Sequence, residues 1–190
     1  MDIKDDVTVQ EYFEEYVPKI FEEQVAAAGL SGMDGTEMAL QFNITDGETR
    51  TYSLVVKDAK AFEVVAGPAE SPLVTIEMSE DVWRQAVTGK LEGATEMFTD
   101  VSRMSRGRFD LIKDTKGTLV MDLSRPDGPN ADITVSFNGA ESPRAVFHCS
   151  LETWVKLNRG EIAGPTAFMS GQLKIEGDMG FAMMLGSLTG

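Results

Sequence analysis

The 190 residues are 42% hydrophobic and 25% charged, which is typical of a globular chain with one large domain or two small ones. The 31 acidic and 17 basic residues give a net charge of −14, so nucleic acid is a poor partner and adsorption to an anionic membrane is disfavoured. One Cys excludes an internal disulfide, and one His excludes a metal site that requires two imidazoles.

The start of the chain has no apolar run of the kind found in a signal peptide, since residues 1–6 include three Asp. The longest apolar stretches, near Ala61–Gly67 and Gly180–Leu185, are much shorter than the ~20 residues that cross a bilayer. We therefore expect a cytoplasmic protein that does not insert stably into a membrane.

The first predicted element is an amphipathic helix. Thr8 and Glu11 have the spacing of a capping box. Pro18 lacks an amide hydrogen, so we expect a kink or two abutting helices there. Apolar side chains recur at helical spacing along one face of this element: Tyr12, Phe13, Tyr16, Val17, Ile20 and Phe21.

Beyond residue 36 the hydrophobic period changes to two, which predicts strands. Asp46-Gly47 indicates a hairpin turn. Ser79 then has the character of a helix N-cap, and Gly89 that of a left-handed helix end. The strands predicted in this region are Glu37–Ile44, Tyr52–Lys57, Ala61–Val65 and Leu73–Met78.

The pattern then repeats at an offset of 71 residues. Ala69–Pro72 recurs as Ala140–Pro143, and at this offset the pairs Ser79 and Ser150, Trp83 and Trp154, and Gly89 and Gly160 match. If Thr99–Ser105 is extra in the first copy, Gly107 aligns with Gly171. We interpret this register as an internal duplication that gives a pseudo-symmetric pair of α+β units.

The second copy is shorter than the first. The segment Arg108–Lys113 is predicted as a strand that ends the first copy, and Met179–Leu188 as a short apolar helix that ends the chain. The strands predicted for the second copy are Thr118–Leu123, Ala131–Phe137, Ala145–Cys149 and Gln172–Glu176.

The sequence contains no nucleophile elbow, no phosphate-binding loop and no dinucleotide-binding motif. His148 alternates with Phe147 and Cys149 along a strand, so we interpret it as structural, and Cys149 as a small buried hydrophobe. We therefore expect no enzymatic activity, no cofactor and no metal. A hydrolase that uses His148 is the weakest alternative.

The remaining feature is apolar. Met and Phe cluster in Ala167-Phe168-Met169 and in Phe181–Leu185, and eleven Met occur in the whole chain. Such residues favour either ordinary core packing or the mouldable lining of a site that accepts several apolar shapes.

At these residues the chain resembles the sterol carrier protein type 2 family, which binds fatty acyl chains, sterols and other lipids in an apolar tunnel. The resemblance covers Ser150–Leu185 and is most specific in Pro165–Gly171 and Gln172–Gly180. Phe42–Gly47 and Val74–Ser79 are similar to early and central strands of the family.

The resemblance implies an α+β fold in which helices cover a mixed or antiparallel sheet. It divides the chain into a complete unit, residues 1–124, and a shortened unit, residues 125–190, that lacks the first helix and one strand. One cavity built by both units is an open possibility. The ligand-binding residues that it implies are Trp83, Met97, Phe98, Trp154, Phe168, Met169, Met179, Phe181, Met184 and Leu185.

The implied function is a non-enzymatic carrier of a fatty acid, acyl thioester, isoprenoid or sterol-like lipid. An alternative is a structural, dimerising or accessory module with a filled core that assists a lipid- or quinone-modifying enzyme, and a homodimer is compatible with either. Arg103, Arg106 and Arg108 form a basic cluster. They are candidates for binding an anionic head group, although a solvated loop explains them equally well.

Overall fold

A computed structural model describes residues 3–28, 32–91 and 105–186, and for residues 25–28 it describes the backbone alone. The strands in this part of the chain are β1 (Glu37–Asp46), β2 (Glu48–Lys57), β3 (Ala61–Ala66), β4 (Val74–Ser79), β5 (Gly117–Ser124), β6 (Ala131–Phe137), β7 (Arg144–Ser150) and β8 (Leu173–Gly177). The helices are α1 (Val9–Glu11), a π-helical turn (Tyr12–Tyr16), α2 (Val17–Ala28), α3 (Glu80–Val87), α4 (Arg106–Asp114), α5 (Leu151–Asn158), α6 (Gly164–Met169) and α7 (Met179–Gly186).

The predicted N-terminal helix is present, and α1, the π turn and α2 run on as one helical segment. The side chain of Thr8 caps it by accepting a hydrogen bond from the Glu11 amide, as the capping box predicts. The expected irregularity at Pro18 takes the form of the π turn, in which the Val17 amide donates to the Tyr12 carbonyl. The wider turn lies where Pro18, one residue later, has no amide to continue the ordinary ladder.

All eight described strands form one sheet, in the order β3-β2-β1-β4-β6-β5-β7-β8. The pairs β1–β4 and β5–β7 are parallel, and the other neighbours are antiparallel. The expected α+β class with a mixed sheet is therefore confirmed. We use "N-terminal half" for β1–β4 with the helices α1–α3, and "C-terminal half" for β5–β8 with α4–α7.

The register of the strands supports the duplication. Val74 pairs with Leu40, and Ala145, which lies 71 residues after Val74, pairs with Leu119. At the other end of these strands Ser79 and Ser150 each cap the helix that follows. The two halves are thus built on the same parallel strand pair followed by a helix of eight residues.

The junction between the halves explains why the second copy has fewer strands. In the N-terminal half β2 is covered by β3, whereas its counterpart β6 is covered by β4. In the C-terminal half β7 is covered by β8, whereas its counterpart β4 is covered by β6. One antiparallel pairing between β4 and β6 therefore replaces two covering strands and makes the sheet continuous.

The prediction of a strand at Arg108–Lys113 was wrong, because these residues belong to helix α4. Ser105 caps the helix by accepting from the Arg108 amide, and Phe109 and Ile112 face the core at helical spacing. The alignment of Gly107 with Gly171 fails with it, since a helix cannot match strand β8. At an offset of 72 residues Phe109 matches Phe181, which places α4 against α7 instead.

The core lies on one face of the sheet. Phe42 and Ile44 point to this face and are buried, and the aromatic ring of Phe13 from the N-terminal helical segment packs on Phe42. The opposite face carries polar cross-strand pairs. Asn43 donates to Glu77 there, and His148 contacts Asp122.

Candidate apolar cavity

An apolar cavity of about 110 Å³ lies between the N-terminal helical segment and the sheet. Strands β1 to β4 form its floor, and helix α3 forms a second wall. The described lining residues all belong to the N-terminal half, and Gln24 is the only one among them with an amide or charged side chain: Tyr12, Phe13, Val17, Ile20, Phe21, Gln24, Leu40, Phe42, Leu54, Val56, Phe62, Met78, Trp83, Ala86 and Val87.

Stacked aromatic rings hold the helical segment over the sheet. Phe13 stacks on Tyr52 with ring centroids 4.7 Å apart and planes within 4°. One helical stretch further on, Phe21 stacks on Phe62 at 4.2 Å. Such pairs contribute about 0.5–1.5 kcal/mol each beyond the burial of their surface. The cavity is therefore the space left between two aromatic contacts.

Helix α3 places Trp83 in the wall of the cavity. The hydroxyl of Ser79 accepts from the Val82 amide and fixes the first turn, so the next residue faces the core. Trp83 is 2% exposed, and the ring of Tyr12 meets it edge-on at 5.5 Å. Its Nε1 is buried and has no hydrogen-bond acceptor among the described residues. A buried donor without an acceptor costs about 1–3 kcal/mol.

The charges next to this wall neutralise one another. The Arg84 guanidinium lies over the Trp83 ring, 5.6 Å from its centroid, and donates to the Val7 carbonyl and to the Glu80 carboxylate. Arg50 donates to the same carboxylate. Burial raises the pKa of Tyr52, so this phenol stays neutral near the floor of the cavity. The arrangement suits an uncharged or largely apolar guest.

Five of the predicted ligand-binding residues are on helices near the core. Trp83 lines the cavity. Trp154, Phe181 and Leu185 are buried in the C-terminal half, and Met184 packs against that core while partly exposed. The structure therefore separates Trp83 from the other four, and the ligand-binding role of those four stays a prediction.

The other five do not line the described cavity. Phe168 and Met179 are 44% and 43% exposed, and Met169 is 86% exposed. Met97 and Phe98 lie outside the described residues. A role in ligand binding stays a prediction for all five.

The basic cluster is only partly described, because Arg103 lies outside the described residues. Arg106 pairs with Asp110, one turn along α4, and donates to the Asp34 carbonyl. Neither Arg106 nor Arg108 lines the cavity. Binding of an anionic head group at these arginines stays a prediction.

His148 and Cys149 do not form a nucleophile with its base. His148 Nδ1 contacts Asp122 Oδ2 at 2.7 Å on the open face of the sheet, while Cys149 points to the core. Burial raises the pKa of the Cys149 thiol to about 12, which keeps it protonated and unreactive. Within the described ranges there is also no cluster of three or more His, Cys, Asp or Glu that could hold a metal ion.

Sequence reasoning missed most of the lining. The aromatic face of the N-terminal helix was interpreted as core, yet Tyr12, Phe13 and Phe21 border the cavity. The signal that could have found it is a run of large rings on one helix, since rigid rings leave gaps where flexible chains fill them.

No helix in the described part of the chain is both long enough and apolar enough to cross a membrane. The cytoplasmic location stays a prediction.

Solved structures similar to this chain are sterol carrier proteins. Sterol carrier protein domain 2 of Helicoverpa armigera is 28% identical, with 54% of this chain and 84% of that chain covered and a TM-score of 0.37. Sterol carrier protein 2 from Yarrowia lipolytica, in its apo form, is 12% identical, with 95% and 81% covered and a TM-score of 0.23. A search of curated proteins gave no match.

The sequence profile of the SCP-2 sterol transfer family matches the chain twice, at residues 21–105 and at residues 103–190. The two matches together span nearly the whole chain, and each contains one of the equivalent strand–helix units that the register identifies. The chain therefore belongs to the SCP-2 sterol transfer family and contains two copies of its domain.

Proposed function

We propose that this protein is a non-enzymatic carrier that binds a hydrophobic ligand in the cavity of the N-terminal half. The ligand is a fatty acid, an acyl thioester, an isoprenoid or a sterol-like lipid. The observation that carries the proposal is an apolar cavity beneath a helix in a member of a lipid-transfer family. Each methylene moved from water into such a site contributes ~0.8 kcal/mol.

The size of the cavity indicates how a lipid chain enters. A volume of about 110 Å³ is well below the roughly 300–1,000 Å³ of a pocket that encloses a drug-sized ligand. Helix α2 must therefore move outward from strand β3 when a long chain binds. The contact that opens is the stack of Phe21 on Phe62, because Phe62 is only partly buried.

A division of labour between the two units is part of the proposal. Residues 1–124 contain the binding unit, and residues 125–190 act as a shortened unit that supports it. The buried, protonated Cys149 and the pairing of His148 with Asp122 support a role without catalysis.

The test compares two variants that place the same bulk at equivalent positions. Ala86 lines the cavity, and Leu157, 71 residues later, is partly buried on α5. Ala86→Phe adds six carbon atoms into the cavity, and Leu157→Phe adds bulk in the half without a described cavity. Displacement of a fluorescent fatty-chain probe is measured for both, together with native mass spectrometry of the purified protein.

We expect wild type and Leu157→Phe to bind the probe with comparable affinity and Ala86→Phe to lose at least about tenfold, which corresponds to 1.4 kcal/mol. Native mass spectra should show a bound lipid that is released on denaturation, and they also report the number of subunits. A lipid-free mass together with no probe binding by wild type would contradict the carrier function and favour the structural or accessory module.

A further inference from the structure

One polar atom in the N-terminal half is left without a partner at the cavity. The indole nitrogen of Trp83 is a hydrogen-bond donor only, and it is buried with no acceptor among the described residues. Buried indole N–H groups in proteins usually find an acceptor. A donor left open on a residue that lines a cavity indicates that the acceptor comes with the guest.

The surroundings of this donor decide what the acceptor is. None of the described residues that line the cavity carries a charge. The guanidinium of Arg84, stacked over the indole, is already engaged by Glu80 and by the Val7 carbonyl. A carboxylate that entered the cavity would lose its hydration and gain a single neutral donor, which is a poor exchange. The net charge of −14 also opposes an anionic guest.

We propose that Trp83 Nε1 donates a hydrogen bond to an uncharged oxygen of the bound lipid, such as a hydroxyl, ketone or ester oxygen, and that the site prefers such lipids to free carboxylates. This inference rests on the proposed carrier function. It assigns to Trp83 the orientation of the ligand, with the polar end at α3 and the hydrocarbon among the rings of the helical segment.

The test uses small probes that share one chain length: hexane, 1-hexanol and hexanoate. Their binding to wild type, Trp83→Phe and Trp154→Phe is followed by ¹H–¹⁵N spectra, in which the two indole signals are assigned by the two variants. Trp154 is the matched control, because it is also 2% exposed and lies at the equivalent position of α5.

We expect wild type to bind 1-hexanol at least about tenfold more tightly than hexanoate, and the Trp83 indole proton to shift downfield with 1-hexanol but not with hexane. Trp83→Phe should lower 1-hexanol affinity about fivefold to tenfold and leave hexane affinity unchanged. Trp154→Phe should alter neither.

Binding of hexane and 1-hexanol without a shift of the Trp83 indole signal in wild type would overturn this inference and leave the carrier function intact. The same holds if hexanoate binds as tightly as 1-hexanol. Failure of all three probes to bind wild type would instead count against the carrier function itself. The wild-type indole signal keeps the test decisive even if Trp83→Phe does not fold.

Discussion

The two halves of the sheet share a framework and differ in how the space above it is filled. In the N-terminal half Val56 lies under the cavity. The strand pairing makes Phe137 its counterpart, and Phe137 packs edge-on against Phe181 of α7 with ring centroids 6.4 Å apart. Likewise Ala86 lines the cavity where the C-terminal half has Leu157.

This difference shows that the repeated signals specify the frame and that side-chain volume specifies the cavity. Ser79 and Ser150 cap equivalent helices, and Trp83 and Trp154 are equally buried. Close packing extends to the backbone in the C-terminal half, where a Cβ on Gly117 would lie 2.9 Å from the Phe181 ring. One copy thus keeps space for a guest while the other is closed by its own side chains.

The largest expected effect is the loss of stability on Phe181→Ala. Removal of this 4% exposed ring leaves a void against Phe137, which should lower the free energy of unfolding by about 3–5 kcal/mol in urea titrations. Affinity for 1-hexanol should stay within about twofold of wild type, because the ligand occupies the other half. A folded Phe181→Ala protein that no longer binds ligand would place the site in the C-terminal half.

A second comparison uses thiol labelling at equivalent positions. Met78 lines the cavity, and Cys149, 71 residues later, lies in the filled core with a pKa raised by burial. In a Cys149→Ser background, Met78→Cys should react with methyl methanethiosulfonate about tenfold faster than Cys149 reacts in wild type, because reagent access differs. Added 1-hexanol should slow the reaction at position 78. Equal rates without protection would show that the cavity does not distinguish the halves.

The smallest effect concerns the open face of the sheet, where Asp122–His148 in one half corresponds to Asn43–Glu77 in the other. The hydrogen bond from His148 holds the pKa of Asp122 below its usual value. Because the folded pKa is lower than the unfolded one, this stabilisation is present above about pH 4 and is lost as the pH falls below it.

Asp122→Asn should therefore cost about 1 kcal/mol at pH 7 and less at pH 3, measured by urea unfolding. Asp132→Asn, the same change of charge on the strand β6 residue opposite Asp122, is the control. A cost for Asp122→Asn that does not change between these pH values would remove the ion-pair explanation.

Much of the frame could be predicted from the sequence because its signals are local. Asp46-Gly47 specifies the first hairpin, and Ser79 and Ser150 specify the starts of two helices. The error at Arg108–Lys113 arose because Phe109, Leu111 and Ile112 fit both the strand and the helix period, and the cap at Ser105 settled the choice.

The cavity could not be located from the sequence, because it depends on contacts between distant residues. The Met-rich segments suggested a mouldable lining near α6 and α7, yet Met169 and Met183 are 86% and 65% exposed. Residue type indicates which side chains adapt to a site, whereas the position of the site follows from the packing of Phe13 and Phe21 on strands far along the chain.

The central claim, that ligand binds in the N-terminal half and not in the C-terminal half, is tested most directly by methyl NMR of protein labelled at Ile, Leu and Val. On titration with 1-hexanol, the account predicts shifts at the cavity residues Leu40, Leu54 and Val56 and unchanged signals at Leu119, Leu123 and Leu185. Shifts at the second set with none at the first would contradict it.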